Sequence, residues 1–212
     1  MSKLKLYGYW RSSATYRVRL ALAIKQLNYQ QVAVDLIAQG GEQHSKVFHQ
    51  LNASELVPVL VDGDLVLNQS LAIIEYLDDR YPQARLIPVA GEAKYRVLAL
   101  AHDIAMDIHP LNNLRVLQYL SQNLAVDESQ KNQWYQHWIA EGFRAIEEKL
   151  SVTAGQYCIG ESLSLADVCL LPQVYNAERF AVDMSPYPTI RRITEMLRLR
   201  TDIHSATPEN CR

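Results

Sequence analysis

Residues 11–19 read RSSATYRVR, and this stretch carries two adjacent hydroxyls, Ser12 and Ser13. They lie between a strand-like run, residues 4–9, and a helix-like run, residues 15–27. At the start of a helix, free backbone N–H groups and the positive end of the helix dipole favour an anion, which a serine hydroxyl can also bind. A thiolate is one anion that suits such a position. The alternative is that the serines only cap the helix, because serine leads the N-cap preferences.

A β-hairpin is predicted further along the chain. The turn Asp62-Gly63 separates the apolar runs 59–61 and 65–67, and Asp-Gly between such runs is a strong hairpin signal. Val57-Pro58 precedes the first run. A proline is tolerated at the start of a strand, and a cis bond there would turn the backbone of Val57 outward to pair with an extended ligand.

A second polar helix start follows the hairpin. Gln69-Ser70 precedes the run 71–77, whose apolar spacing predicts a helix. Residues 4–80 therefore predict strand, helix, strand (30–36), a polar stretch, hairpin and helix, which is the thioredoxin-like order. This order offers a backbone edge at Val57 and an anion site at each helix start. A peptide with a free γ-glutamyl end and a central thiol would have a matching group for the backbone edge and for both anion sites.

With these motifs the chain resembles the glutathione transferases, and within them the zeta class. That class carries Ser-Ser-Cys-x-(aromatic)-Arg-Val-Arg, which residues 12–19 match as SSATYRVR. Further matches are VP at 57–58, QSLAIIEYL at 69–77, PLNNL at 110–114, NAERF at 176–180 and PYPTI at 186–190. The resemblance covers nearly the whole chain. One departure is Ala14, which stands where the family has cysteine, so no protein thiol can act from that position.

The resemblance implies the glutathione transferase fold, an α/β part followed by an all-α part. A thioredoxin-like, glutathione-binding domain would span residues 1–81, a linker 82–91, and a helical domain that forms the substrate site 92–212. The local sequence agrees with a boundary at this position. Residues 81–88 read YPQARLIP, and their two prolines predict an extended connection between the domains.

The pattern after the linker is helical. Helices are predicted from residue 92 to about 124, with a disturbance at Pro110, and over 128–150. Ser164 and Asp167 form a variant of the capping box and predict a further helix start with a structural role.

The resemblance also implies the residues of the site. Glutathione would be the cofactor, and the catalytic residues would be Ser12, Ser13 and Arg179. The glutathione-binding residues would be Ser12, Ser13, Arg17, Gln43, Val57, Gln69, Ser70, His109, Asn113 and Arg115. Taken alone, Arg17 and Arg19 would be helix-surface charges. His109, with Asp103 and Asp107, would be a charged helix end.

Two hydroxyls compete to activate the thiol. Gly8-Tyr9-Trp10 looks like the Gly-Tyr-Trp of mu-class glutathione transferases, in which the tyrosine hydroxyl donates to the thiolate. Ser12 is the favoured donor, because the zeta motif continues through residues 16–19 and the mu-type sequence does not follow Tyr9. Ser13 is then expected to supply a backbone N–H or to cap the helix.

The implied reaction is the cis–trans isomerisation of maleylacetoacetate to fumarylacetoacetate, by reversible addition of the glutathione thiolate to the double bond. Arg179 is expected to bind a carboxylate of the diacid substrate, with Arg11 as second choice, because a guanidinium offers a planar two-point fork. An ion pair with Glu178 or Asp183 is the alternative for Arg179.

Two other functions remain open. A general zeta-class transferase or dehalogenase, acting on small electrophiles such as α-halo acids, would use the same thiolate. A non-catalytic interaction protein on this fold would tolerate the loss of Ser12, Val57-Pro58 or Gln69-Ser70. All of these are present, which argues against it.

Composition excludes several classes. The 212 residues are 49% hydrophobic with a net charge of −2, so nucleic-acid or membrane binding is not expected, and no apolar run approaches about 18 residues. Neither the six histidines nor the three cysteines (Cys158, Cys169 and Cys211) show metal-binding spacing, so no metal is expected. Residues 1–10 contain no secretory signal. A cytoplasmic homodimer is expected.

Overall fold

The computed structural model describes residues 4–211, with all their side chains but that of Gln39. They form two compact units: the first runs to Leu86 and resumes at Arg198, and the second spans Ile87–Leu197. The division after Leu86 falls inside the predicted linker, whereas the residues from Arg198 onward group with the first unit and not with the helices of the second. The domain boundaries predicted from the sequence remain a proposal.

The strands are β1 (Leu4–Gly8), β2 (Tyr29–Ala33), β3 (Val59–Asp62) and β4 (Leu65–Asn68). The helices are α1 (Ser13–Ile24), α2 (Lys46–Leu51), α3 (Ser70–Arg80), α4 (Glu92–His102), α5 (Leu114–Asn123), α6 (Glu128–Thr153), α7 (Leu165–Arg179), α8 (Pro188–Arg198) and α9 (Thr201–Ser205). A π-helical segment (Asp103–Ile108) and short 3₁₀ turns (Ala38–Gly40, Glu42–His44, His109–Asn112 and Pro208–Cys211) complete the chain.

The first unit has the predicted thioredoxin-like order. Its sheet has the strand order β2-β1-β3-β4, with β1 parallel to β2 and antiparallel to β3. The predicted hairpin is confirmed, because β3 and β4 pair antiparallel from Asp62↔Leu65 to Val59↔Asn68. Its turn lies one residue later than expected: Asp62 belongs to β3, and the two loop residues are Gly63 and Asp64. The peptide bond Val57-Pro58 is cis.

The polar stretch after β2 contains structure that the sequence pattern did not indicate. The strand predicted over 30–36 ends at Ala33, because the Asp35 carboxylate accepts hydrogen bonds from the N–H groups of Ile37 and Ala38 and starts a turn. Helix α2 follows, with Ser45 as its N-cap and Phe48 as its buried residue. Six residues are too few to show a helical periodicity.

The end of β1 lies directly against the start of α1. A Cβ on Gly8 would lie 2.3 Å from Cγ2 of Thr15, so any larger residue would push the helix away from the strand. Behind this contact α1 is buried, with Val18, Leu20 and Leu22 fully covered. The two candidate serines therefore lie at a closely packed strand-to-helix junction.

Arg17 and Arg19 are not helix-surface charges. Their exposed fractions are 2% and 1%. Nε of Arg19 donates to the carbonyl of Ala206, in the segment after α9, and Nη2 donates to the carbonyl of Trp10. The expectation of exposure was wrong because both arginines find partners far away in sequence, and a buried guanidinium is stable only when hydrogen-bonded.

A buried ion pair fixes the end of α3. Nζ of Lys25 lies 2.7 Å from Oδ1 of Asp78, with both side chains at most 1% exposed. The same ammonium donates to the carbonyls of Tyr81, Gln83 and Ala84, and the Asp78 carboxylate accepts from the N–H of Leu86. The pair thus holds the predicted extended connection against the first unit.

The second unit departs from the predicted long helix. The disturbance was expected at Pro110, but the α-helical pattern already ends at His102, and the π-helical segment and a 3₁₀ turn precede α5. A Cβ on Gly142 would lie 2.3 Å from Cδ1 of Ile108, so the π segment packs where α6 has no side chain.

The other predicted elements of the second unit are present. The helix predicted over 128–150 is α6, and the Ser164/Asp167 capping box opens α7. Burial raises the pKa of Asp167, whose carboxylate accepts from the N–H groups of Cys158 and Ser164. Within residues 4–211 no helix combines the length and apolar character that a membrane crossing requires.

Candidate active site

The sequence-predicted residues divide between the two units. The first unit carries Ser12, Ser13, Arg17, Gln43, Val57, Gln69 and Ser70, and the second carries His109, Asn113, Arg115 and Arg179.

Ser12 is the N-cap of α1. Its Oγ accepts a hydrogen bond of 3.2 Å from the N–H of Thr15, and its backbone N–H donates to the carbonyl of Tyr9. A hydroxyl has one proton and two lone pairs, so accepting from Thr15 leaves the O–H proton for a second partner. Capping and donation to an anion are therefore compatible, and the two interpretations of Ser12 do not exclude each other.

Ser13 is the first residue of α1 and is buried. The capping role falls to Ser12, and the other contribution expected of Ser13, a backbone N–H at the helix start, stays a prediction.

Tyr9 is engaged by its neighbour Arg11. Nη2 of Arg11 donates to the Tyr9 hydroxyl at 3.1 Å, and the guanidinium lies 4.6 Å from the ring centre of Trp10. Stacking on an aromatic face is a favoured environment for a guanidinium. Arg11, the second choice for a substrate carboxylate, is thus occupied within its own segment.

Ser70 and Arg17 meet at the start of α3. Ser70 is 6% exposed, and Nη1 of Arg17 donates to its Oγ at 3.4 Å. Gln69 precedes the helix with φ 66°, a left-handed conformation that is uncommon for a residue with a side chain and that often marks a functional site. The helix dipole and a buried guanidinium together make this position favourable for a carboxylate.

Val57 packs beside a small apolar cluster of Val34, Phe48 and Val59. The loop before it is tied down by Asn52, whose Nδ2 donates to the carbonyl of Leu56 and whose Oδ1 accepts from Nδ2 of Asn68. Sequence reasoning did not single out Asn52, because an asparagine in a loop carries no pattern that reveals a partner 16 residues away.

Gln43 lies in the turn Glu42–His44 and is 5% exposed. Its Nε2 is 3.0 Å from Nε2 of His44, while its Oε1 has no hydrogen-bond partner among residues 4–211. A buried carbonyl oxygen without a donor is unfavourable, so this atom suits a ligand that donates.

Three predicted residues of the second unit lie on one short segment. His109 begins the 3₁₀ turn after the π segment, and Asn113 caps α5 by accepting from the N–H of Arg115. Nε1 of Trp134 donates to the carbonyl of Leu111, which fixes the turn to α6. Asp103, expected beside His109 as a surface charge, pairs with Lys149.

Arg179 is the last residue of α7 and is exposed. Its Nη1 donates to Oδ1 of Asn176 at 3.3 Å, and its guanidinium lies 5.2 Å from the ring centre of Phe180. That ring stacks on Tyr135, with ring centres 3.6 Å apart. Arg179 is therefore directed by its own helix and by an aromatic pair.

The described residues contain no group of histidine, cysteine, aspartate and glutamate side chains arranged to hold a metal ion.

Comparison with known proteins identifies the relatives of the chain. The model of the glutathione S-transferase N-terminal domain matches residues 2–79. A curated relative from Vibrio cholerae, "Probable maleylacetoacetate isomerase", is 63% identical over 210 residues, which cover 99% of this chain and 98% of the relative.

Two solved structures are similar over nearly their whole length. One is the holo structure of a maleylpyruvate isomerase, a bacterial zeta-class glutathione S-transferase, with a TM-score of 0.93 and 41% identity over 97% of both chains. The other is a maleylacetoacetate isomerase from Methylobacterium extorquens AM1 with bound malonate and glutathione, with a TM-score of 0.93 and 35% identity, again over 97% of both chains.

Proposed function

The chain belongs to the glutathione S-transferase family and to its zeta class, and on this premise we propose that it is a glutathione-dependent isomerase that converts maleylacetoacetate to fumarylacetoacetate. The observation that carries the proposal is Ser12, whose Oγ caps the start of α1 by accepting from the N–H of Thr15, which leaves its own proton to donate. The relatives named as isomerases of such diacids match nearly the whole length of the chain.

The residues of the first unit fit glutathione as a cofactor. The start of α3, with the Arg17 guanidinium on Ser70, suits the γ-glutamyl carboxylate. The backbone of Val57 is proposed to pair with the cysteinyl unit, and the unpartnered Oε1 of Gln43 suits a peptide N–H. His109, Asn113 and Arg115, from the second unit, are proposed as further contacts.

When bound, glutathione would supply a thiolate for reversible addition to the cis double bond, which would become a single bond free to rotate until elimination restores the thiol and leaves the trans alkene. The protein has to keep this thiol ionised. A cysteine-type thiol has a reference pKa of about 8.5, and lowering it by about two units requires roughly 2.7 kcal/mol. A hydroxyl donor contributes about 1.5–3 kcal/mol to a charged acceptor and a helix terminus about 0.3–1 kcal/mol. Ser12 and the start of α1 are therefore sufficient.

Arg179 is proposed to bind a carboxylate of the diacid. Its guanidinium is exposed, is already directed by Asn176 and Phe180, and offers a two-point fork. In this role it would fix the substrate, and its charge would also stabilise the enolate that develops during addition.

The proposal is tested by the stoichiometry of glutathione. With catalytic glutathione and excess maleylacetoacetate, or its analogue maleylacetone, we expect many turnovers to the trans product while total free thiol stays constant. Chromatography of the product and titration of the thiol measure the two quantities. A conjugate that accumulates one-for-one with substrate loss would support the general transferase or dehalogenase function, and absence of any trans product would exclude the isomerase.

We also propose that the chain works as a cytoplasmic homodimer. Cys158, Cys169 and Cys211 form no disulfide among the described residues, which suits a reducing compartment. Strand β4 is at the edge of the sheet, and its Leu65 and Val66 are exposed. An exposed apolar edge strand tends to pair with another chain unless it is buried. A second copy of this chain is the partner that fits a transferase of this family.

Sedimentation equilibrium should give twice the chain mass, and Val66→Lys should shift the protein toward monomer, because the lysine places a charge in the proposed interface. Val152→Lys is the control, since Val152 is exposed on α6 and lies outside the proposed surface. A monomeric wild-type protein, or equal dissociation by both variants, would contradict the assignment of β4 to the interface.

A further inference from the structure

The Glu55 carboxylate joins two histidine rings in the first unit. Nδ1 of His44 lies 2.5 Å from Oε2 of Glu55, and Nδ1 of His49 lies 2.9 Å from Oε1. Both histidine side chains are about half exposed, at 53% and 55%. The hydrogen bond from His44, followed by that from His49, holds the pKa of Glu55 below its usual range. The carboxylate is therefore ionised near neutral pH and accepts at both oxygens.

The two histidines differ in what their rings reach. Nε2 of His44 is 3.0 Å from Nε2 of Gln43, whereas no such bond joins His49 to Gln43 among the described residues. An amide nitrogen only donates and a carboxylate only accepts. Nδ1 of His44 therefore carries the proton that Glu55 accepts, and in the neutral ring Nε2 is left as the acceptor for the Gln43 nitrogen, so Glu55 fixes the tautomer of His44.

This tautomer sets the orientation of the Gln43 amide. Because the amide nitrogen of Gln43 faces the His44 ring, its Oε1 is directed away from that ring. This oxygen is buried and has no hydrogen-bond partner within residues 4–211. The amide also folds tightly over its own turn, since a Cβ on Gly41 would lie 2.3 Å from Nε2 of Gln43. Rotation of the amide by half a turn would present a donor in place of the acceptor.

We propose that His44 is a positioning residue, which, held by Glu55, orients the Gln43 amide so that Oε1 accepts a hydrogen bond from a peptide N–H of bound glutathione. The inference rests on the proposed function, because glutathione is the ligand. The tripeptide has peptide N–H groups at its cysteinyl and glycyl units. These donors can bond to the buried carbonyl oxygen of Gln43, whereas an amide NH₂ in its place would put two donors face to face.

Replacement of His44 separates this role from a structural one. His44→Phe removes the acceptor for Gln43 and should raise both the calorimetric Kd and the KM for glutathione about fivefold, as expected for one hydrogen bond of ordinary strength, with kcat within twofold of wild type. His44→Gln carries an amide oxygen that can replace the ring acceptor, so it should bind glutathione nearly as well as wild type.

His49→Phe is the matched control, because it removes the other ring on Glu55 and leaves the Gln43 contact in place. Its Kd should equal that of wild type, and thermal melts should show all three variants folded. An unchanged Kd in His44→Phe, or an equal loss in His49→Phe, would overturn the role of His44. Failure of the wild-type protein to bind glutathione would instead remove the proposed function, so the two failures are distinguishable.

Discussion

Lys25→Met should lower the free energy of unfolding by about 3–5 kcal/mol, the usual loss when one partner of a buried ion pair is removed. The methionine fills a similar volume but leaves the Asp78 carboxylate buried without its cation. It also leaves the carbonyls of Tyr81, Gln83 and Ala84 without the ammonium that they share. Urea unfolding measures the loss, and limited proteolysis should show earlier cleavage in the segment 81–86.

Arg85→Met is the control for this prediction. Arg85 pairs with Asp79 at 2.8 Å, close to the 2.7 Å of the buried pair, but the Asp79 side chain is 72% exposed. Because solvent screens an exposed pair, its removal should change the free energy of unfolding by less than about 1 kcal/mol. If Lys25→Met were no more destabilising than Arg85→Met, the buried pair would not be what holds the connection.

The elements that could be predicted from the sequence are those set by neighbouring residues. A short hairpin turn is set mainly by its own residues, and the hairpin is found where it was expected, with its turn displaced by one residue to Gly63 and Asp64. The same holds for the Ser164/Asp167 capping box, and for the helices that begin directly after Ser12 and Gln69. In each case the hydrogen-bonding groups involved lie within a few residues of one another.

The elements that could not be predicted depend on distant partners. Arg19 is buried because the carbonyl of Ala206 is available 187 residues later, and no periodicity in α1 reveals that contact. The π segment ends at Ile108, which packs on Gly142 of another helix. An arginine in a helix and a single glycine in another are each ordinary in isolation, so only the folded chain reveals what they do.

The candidate site also contains residues that local sequence reveals and residues that depend on distant partners. Ser12, Val57, Gln69 and Ser70 could be proposed from helix starts and a Val-Pro pair. The His44 ring and its carboxylate had no such signal, because Glu55 follows His44 by 11 residues and the two meet only after α2 turns the chain back. Residues that contact a ligand tend to lie in recognisable motifs, whereas those that orient them depend on the local fold.

Ser12→Ala is expected to lower kcat/KM at least tenfold, while Tyr9→Phe should change it little. A tenfold loss corresponds to about 1.4 kcal/mol, within the range of one hydrogen bond to a charged acceptor. Ser12 lies at the start of α1, where the helix dipole adds to its donation, whereas Tyr9 precedes the helix; the Tyr9 hydroxyl accepts from Arg11 and also keeps its proton, so the two variants decide between the donors. Steady-state kinetics with the isomerisation substrate measure the effect, and ultraviolet absorbance of the thiolate should show a raised pKa for bound glutathione in Ser12→Ala.

Loss of the helix cap must be separated from loss of the thiol donor, because a serine cap contributes about 0.5–2 kcal/mol to stability. Ser45→Ala is the matched control: Ser45 caps α2 by accepting from the N–H of Phe48 at 3.2 Å, the same length as the bond from Thr15 to Ser12. Both variants should lose stability to a similar degree, but only Ser12→Ala should change the thiol pKa. If Tyr9→Phe lost activity and Ser12→Ala kept it, Tyr9 would be the activator. The zeta-type motif would then have predicted the family correctly and the catalytic hydroxyl wrongly.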